Sequence, residues 1–194
     1  MTSASTAVIP INDIRGLDNI IYAKGEKQLR CKLAAVYRLI HLQGWAPGIN
    51  NHVTARISQD TEHFLLNPYG LQYNEMTASS LVKVNMQGEV VEEGTTNFSV
   101  NKESFALQSA IHAARPDIKC IIHLRSQNVV AVSAMKCGLI PVCQEACLIG
   151  DCSYHTYRPD MNSQAAKDEV AKDLGPSNKV SNIVCIAFDL QSIL

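Results

Sequence analysis

Six histidines and seven cysteines are the residues of this chain that could hold a metal or pass a proton. Cys143, Cys147 and Cys152 fall close enough together to raise the idea of a zinc cluster. Their spacing is unlike a closed zinc site: there is no CxxC pair and no second knuckle, and apolar residues interrupt the run. The odd total, with five of the seven in apolar surroundings, points instead to buried, reduced thiols and hence to a reducing compartment such as the cytosol. His123 sits inside the apolar run Lys119–Leu124, where a lone histidine reads as a hydrogen-bonded core residue. His112 lies in a helical stretch and reads as helix-surface or interface packing. Tyr154-His155 reads as a solvated loop pair, and Ser79-Ser80 as caps opening a helical turn.

The elements that must position these groups belong to one α/β domain. The 194 residues are 46% hydrophobic and 18% charged, which suits a globular chain with a substantial core. A formal net charge of -1 gives no field to draw the chain to nucleic acid or acidic lipid, and no polybasic run exists. No apolar run approaches the ~18 residues of a membrane span, and the start lacks the pattern of a secretion signal.

Residues 1–22 carry mixed signals and are expected to form a flexible lead-in to a domain over 23–194. From Gly25, apolar residues recur at Leu29, Leu33, Val36, Tyr37 and Ile40, predicting a helix that ends at Gly44, with Arg30, Lys32 and Arg38 elsewhere around the wheel. His52–Ile57 and His63–Leu66 alternate as strands do. Asn67-Pro68-Tyr69-Gly70 is a turn, and Met86-Gln87-Gly88 joins Leu81–Asn85 to Glu89–Val91 as a hairpin. Lys102–Ala114 is helical up to Arg115-Pro116. Lys119–Leu124 has strand length, and Ser126–Lys136 mixes small and apolar residues as a packed helix would. Leu139–Val142 and Ala146–Ile149 are strand candidates, Asn162–Leu174 is an amphipathic helix, and Ile183–Phe188 is a final strand.

Three stretches, in order, resemble the class II aldolase/adducin family: Gly44-Trp45 through Asn50-Asn51-His52-Val53-Thr54-Ala55-Arg56-Ile57; His63 through Gly70 and on to Met76–Val84; and Ser109-Ala110-Ile111-His112-Ala113-Ala114-Arg115-Pro116-Asp117 through His123. The stretch Val132–Val142 is closest to adducin heads and their bacterial relatives. The resemblance implies a three-layer α/β/α sandwich around a mainly antiparallel sheet, and assembly into oligomers.

The family's enzymes hold a divalent metal, commonly zinc, with a His-x-His and a third histidine, beside a glutamate acid/base. A three-histidine cation with an open position polarises a substrate carbonyl and stabilises an enediolate, and the glutamate shuttles the proton. Matched residue by residue, His123 takes the first position of the His-x-His and Arg125 the second. Arginine keeps its proton and has no lone pair for a metal. Ser104 falls on the glutamate position. Glu103 is its neighbour, but ~100° of helix rotation aims it elsewhere. After Phe188 the sequence reads Asp189-Leu190-Gln191, with Asp189 only an oxygen donor where a histidine is expected. The resemblance also implies that Asn50, Asn51, His52 and Thr54 form the loop meeting a substrate phosphate or carboxylate, its backbone amides making an anion nest that Arg125 would reinforce.

Two function classes follow. The first is a non-catalytic, adducin-like head that self-associates in the cytoplasmic membrane skeleton, where adducins join actin filament ends to spectrin; no cofactor is expected. The lysine-rich tail that does much of that work is not in these 194 residues, and the domain reads as truncated at its C-terminal end, where further packed helices are expected. The second is a metal-dependent lyase or epimerase of phosphorylated or carboxylated sugars.

Overall fold

Helix and strand boundaries follow mainly from local capping and turn chemistry. The computed structural model describes residues 9–16, 22–23, 25–46, 48–156, 163–181 and 185–188. Helix α1 spans Glu26–Leu42, entered from Gly25 at φ 86° and left through Gly44 at φ 69°. Gly44 is the left-handed residue the sequence predicts, and the amides of Gly44 and Trp45 return to the carbonyls of His41 and Ile40. Strands β1 (His52–Ser58) and β2 (His63–Leu66) form a hairpin. A 3-10 turn at Tyr73–Glu75 leads to β3 (Val82–Val84) and β4 (Val90–Glu92). Between those two strands, Asn85 Oδ1 accepts from the amides of Gln87 and Glu89, with Gly88 at φ 75°. Helix α2 covers Lys102–Ala114, its start capped by Asn101 accepting from the Ser104 amide at 3.1 Å. Then follow β5 (Cys120–His123), α3 (Gln127–Ser133), α4 (Gln144–Ile149), β6 (Cys152–Ser153), α5 (Gln164–Leu174), β7 (Val180–Ser181) and β8 (Cys185–Phe188).

The strands make one eight-stranded sheet in the order β4-β3-β2-β1-β5-β8-β7-β6, antiparallel at every pairing except β6 with β7. The period-2 alternation of β1 sends Val53 and Ala55 to one face and Thr54 and Arg56 to the other. On the first face Val53, Ala55, Leu65, Cys120 and Ile122 pack with Leu33, Val36, Tyr37 and Ile40 of α1. On the second, Phe64, Leu66, Val82 and Val84 meet Phe105 of α2, and Ile121 meets Leu107 and Ile111 of α2 with Val170 and Leu174 of α5. The Val, Leu, Ile and Phe side chains among these contribute ~1.5–3 kcal/mol of burial each. The result is the expected three-layer α/β/α sandwich around a mainly antiparallel sheet.

Several expectations are corrected. Ala146–Ile149 belongs to helix α4, and Leu139–Val142 forms no strand; short apolar runs have no periodicity long enough to separate helix from strand. Ser79-Ser80 lie in a tight turn, not at a helix start. Arg30, expected on the polar side of α1, is fully buried. Its guanidinium is 2.9 Å from Glu26 Oε1 and 2.6 Å from Glu92 Oε1, and it donates to the Leu81 carbonyl at 2.8 Å. Lys83 Nζ, 2.9 Å from Glu26 and 2.8 Å from Glu92, completes the network. Burial pulls the Lys83 ammonium down, but the two carboxylates outweigh it and hold it above its ordinary range.

The thiols are also redistributed. Cys120 is buried and Cys31 and Cys152 are half-buried, while Cys137, Cys143 and Cys147 are exposed, and none of these six forms a disulfide. Within the expected lead-in, residues 9–14 lie against the domain. Ile14 is buried, the Ile11 carbonyl accepts from the Ala78 amide, and the Asp13 carboxylate accepts from the amide and hydroxyl of Ser79. Burial raises the Asp13 pKa, but the bonds from Ser79 and Thr77 outweigh it and the net shift is downward.

Candidate ligand-binding site

Antiparallel pairing of β1 with β5 sets His52 opposite His123, and pairing of β5 with β8 sets His123 opposite Cys185 along the backbone. His52 is buried, and its Nε2 has no hydrogen-bond partner among the described residues. Burial, then the nearby His123 and Arg125, push its pKa down to about 4. His123 is half-buried and is likewise pushed down to about 4, by burial and then by Arg125. Both imidazoles are therefore neutral near pH 7, beside an exposed guanidinium.

The remaining sequence-predicted loop residues separate. Asn50 is exposed. Asn51 is fully buried, donates through Nδ2 to the Trp45 carbonyl at 3.4 Å, and leaves Oδ1 unpartnered among the described residues. Thr54 does not join the site. Its hydroxyl lies 3.0 Å from His112 Nε2 inside the layer between the sheet and α2.

His112 itself is fully buried, not on the helix surface. Its Nδ1 is 3.3 Å from the Ile118 carbonyl, an acceptor only, so Nδ1 carries the proton and Nε2 accepts from Thr54. The ring lies 4.6 Å from that of Phe64, and burial followed by the Arg56 charge pushes its pKa down to about 3. Arg56 donates to the His112 carbonyl and to both Glu62 oxygens. His155 departs from its solvated expectation in the same way: it is buried, with Nδ1 2.7 Å from Asp173 Oδ2. Tyr154, half-exposed, accepts the Leu139 amide at its hydroxyl.

Sequence reasoning missed Gln108. It lies one helical turn beyond Ser104, donates to the His52 carbonyl at 3.3 Å, and leaves Oε1 buried and unpartnered among the described residues. Only its spacing from Ser104 could have signalled it. Ser104 is half-buried, its amide taken by the Asn101 cap. Glu103 is exposed and lines a separate cleft with Lys102, Phe105 and Lys167. The site is thus His52, His123 and Gln108 at the junction of β1, β5 and α2, with Arg125 at its edge.

These residues do not fit a three-histidine metal centre. Arg125 stands where a second ligand of the His-x-His is needed, and a fixed positive charge there opposes a divalent cation. Among the described residues no three His, Cys, Asp or Glu side chains are grouped to hold an ion. Asp189 lies outside the described residues. What the arrangement can do is offer neutral imidazole and amide groups to a polar ligand, and one cation to an anionic one.

Comparison with known proteins identifies the architecture. Residues 31–187 match the family described as "Class II Aldolase and Adducin N-terminal domain". The chain is 54% identical to mouse alpha-adducin over 173 residues, covering 89% of this chain and 24% of that protein. It thus spans about a quarter of that relative's length. The crystal structure of an aldolase II superfamily protein from Pseudomonas syringae superposes with a TM-score of 0.82 at 34% identity, over 89% of this chain and 70% of that one. L-fuculose 1-phosphate aldolase from Glaciozyma antarctica PI12 gives 0.73 at 27%, over 84% and 64%. With a matching fold, a matching family pattern over most of its length and an adducin relative at this identity, the chain belongs to the class II aldolase and adducin N-terminal domain family.

Proposed function

We propose that this chain acts as a non-catalytic, adducin-like head: a self-associating module of the cytoplasmic membrane skeleton whose partners are its own copies and an actin- and spectrin-linked assembly. Arg125 carries the reading. It stands two residues after His123, where the family's enzymes need a second metal-binding histidine, while the chain is 54% identical to an adducin. The domain is taken to run over 23–194, and no metal or organic cofactor is required. The test is turnover set against assembly. The protein is expected to cosediment with actin–spectrin complexes as an oligomer and to leave sugar phosphates unchanged. Cleavage or epimerisation of a sugar phosphate that disappears in His123→Ala would overturn the proposal.

The second reading, a metal-dependent lyase or epimerase of phosphorylated or carboxylated sugars, is favoured by one observation. Among the described residues, His52 Nε2 and Gln108 Oε1 are buried polar atoms of the site without partners, and unpaired polar groups cost ~1–3 kcal/mol each unless something meets them. A small ligand is one such thing. Binding without turnover is compatible with the first reading: Asn50, Asn51, His52 and Arg125 would then keep affinity for an anion. Inorganic phosphate should raise the melting temperature of the wild type and not of Arg125→Ala.

A further inference from the structure

The cleft beside Glu103 lies apart from the site of His52 and His123. Its walls are the turn between β3 and β4, one face of α2, and Lys167 of α5, and they enclose about 250 Å³. These walls are fixed in place. Ser109 Oγ donates to the Met86 carbonyl at 2.8 Å and ties the turn to α2. Gly88, at φ 75°, lets the turn lie close to Phe105: a Cβ there would stand 3.1 Å from the ring's Cδ1 and 3.9 Å from Lys102 Cγ. The cleft is therefore shaped before anything enters it.

Its charges are not neutralised. Arg30, Arg56, Lys83 and Arg115 all meet carboxylates. Lys102 and Lys167 line the cleft with Glu103, yet neither ammonium has an ion pair or a hydrogen bond among the described residues. Below the charges the lining is apolar: half-buried Met86 and Ala106, and the ring of Phe105.

We infer that this cleft binds a small organic carboxylate with a compact apolar body. Two ammonium groups and one carboxylate leave a single positive charge, which a monoanion balances. A dianion such as phosphate would also confront Glu103, and like charges brought together oppose binding. Each ligand oxygen can accept a charge-assisted hydrogen bond from one ammonium, while the body rests on Met86, Phe105 and Ala106. Sites for drug-sized ligands run to roughly 300–1,000 Å³, so this smaller volume suits a single ring.

Benzoate is the probe, titrated into the full chain near neutral pH at constant ionic strength. Calorimetry and amide proton–nitrogen correlation spectra follow it. Saturable binding should shift the amides of Gln87, Gly88 and Ala106. Lys102→Ala/Lys167→Ala should weaken binding at least about tenfold, Glu103→Gln should tighten it about threefold, and Arg125→Ala should leave it unchanged. Inorganic phosphate should neither move those amides nor displace benzoate. Wild type that shows no saturation by about 10 mM overturns the inference, as does equal affinity in the lysine variant. Loss of binding in Arg125→Ala also overturns it, by placing the carboxylate beside His52 and His123, and so does displacement by phosphate. Should the lysine variant fail to fold, Glu103→Gln decides: unchanged or weaker binding overturns the inference.

Discussion

His52 and His123 stand opposite each other on adjacent antiparallel strands, both pushed down to a pKa of about 4 and both next to Arg125. The pair forms the candidate site with Gln108, and its neutrality is a property of the fold.

That neutrality makes stability depend on pH. In the unfolded chain these imidazoles titrate near 6.5, and in the folded chain near 4, with His112 near 3. Between these values the unfolded state holds more protons, so stability is complete above about pH 6.5 and falls as pH drops toward 4. For His52 alone the loss is on the order of 3 kcal/mol. Urea denaturation between pH 7.5 and pH 5, above the range where most carboxylates titrate, should show it. Equal free energies at the two ends would refute the assignment.

Thr54 is expected to support structure and not ligand. Thr54→Val keeps the shape and leaves His112 Nε2 with no donor, so it should cost about 1–3 kcal/mol. Phosphate affinity, where it exists, should be unchanged. A stable variant that has lost phosphate binding would return Thr54 to the site.

Arg30 neutralises two carboxylates at once. Arg30→Ala leaves Glu26 buried beside Lys83 alone and strips the Leu81 carbonyl of its donor. Breaking a buried pair in this way costs roughly 3–5 kcal/mol. Thermal melts and urea titration would measure it; a change under about 1 kcal/mol would mean that the network is solvated.

Arg125 decides metal affinity. The wild type should carry no stoichiometric zinc when purified without chelator. Arg125→His should not create tight binding, since it supplies at most two ligands of the His-x-His type. Elemental analysis finding about one zinc per wild-type chain, lost in His123→Ala, would contradict this and favour the enzymatic reading.

What the sequence determined by itself was everything set by near neighbours. Helix α2 is legible to the residue, because Asn101 caps its start and Arg115-Pro116 stops it. Gly44 ends α1 as predicted, and β2 runs from His63 to Leu66 because alternation and flanking turns are local. The family pattern and the mismatch at Arg125 are likewise written in residue order. Only the tertiary structure decided the rest. Arg30 is polar and reads as solvent-facing until Glu92, 62 residues on, arrives to neutralise it. His112 reads as surface until β1 brings Thr54 to its Nε2. Gln108 enters the site only because α2 lies over β1. The 144–149 segment is too short for its own pattern to choose helix over strand, and the exposure of its side chains is visible only once the rest of the chain has packed without it. Local chemistry fixes backbone conformation over a few residues, whereas burial and ion pairing depend on which distant segments the fold brings within a few ångströms.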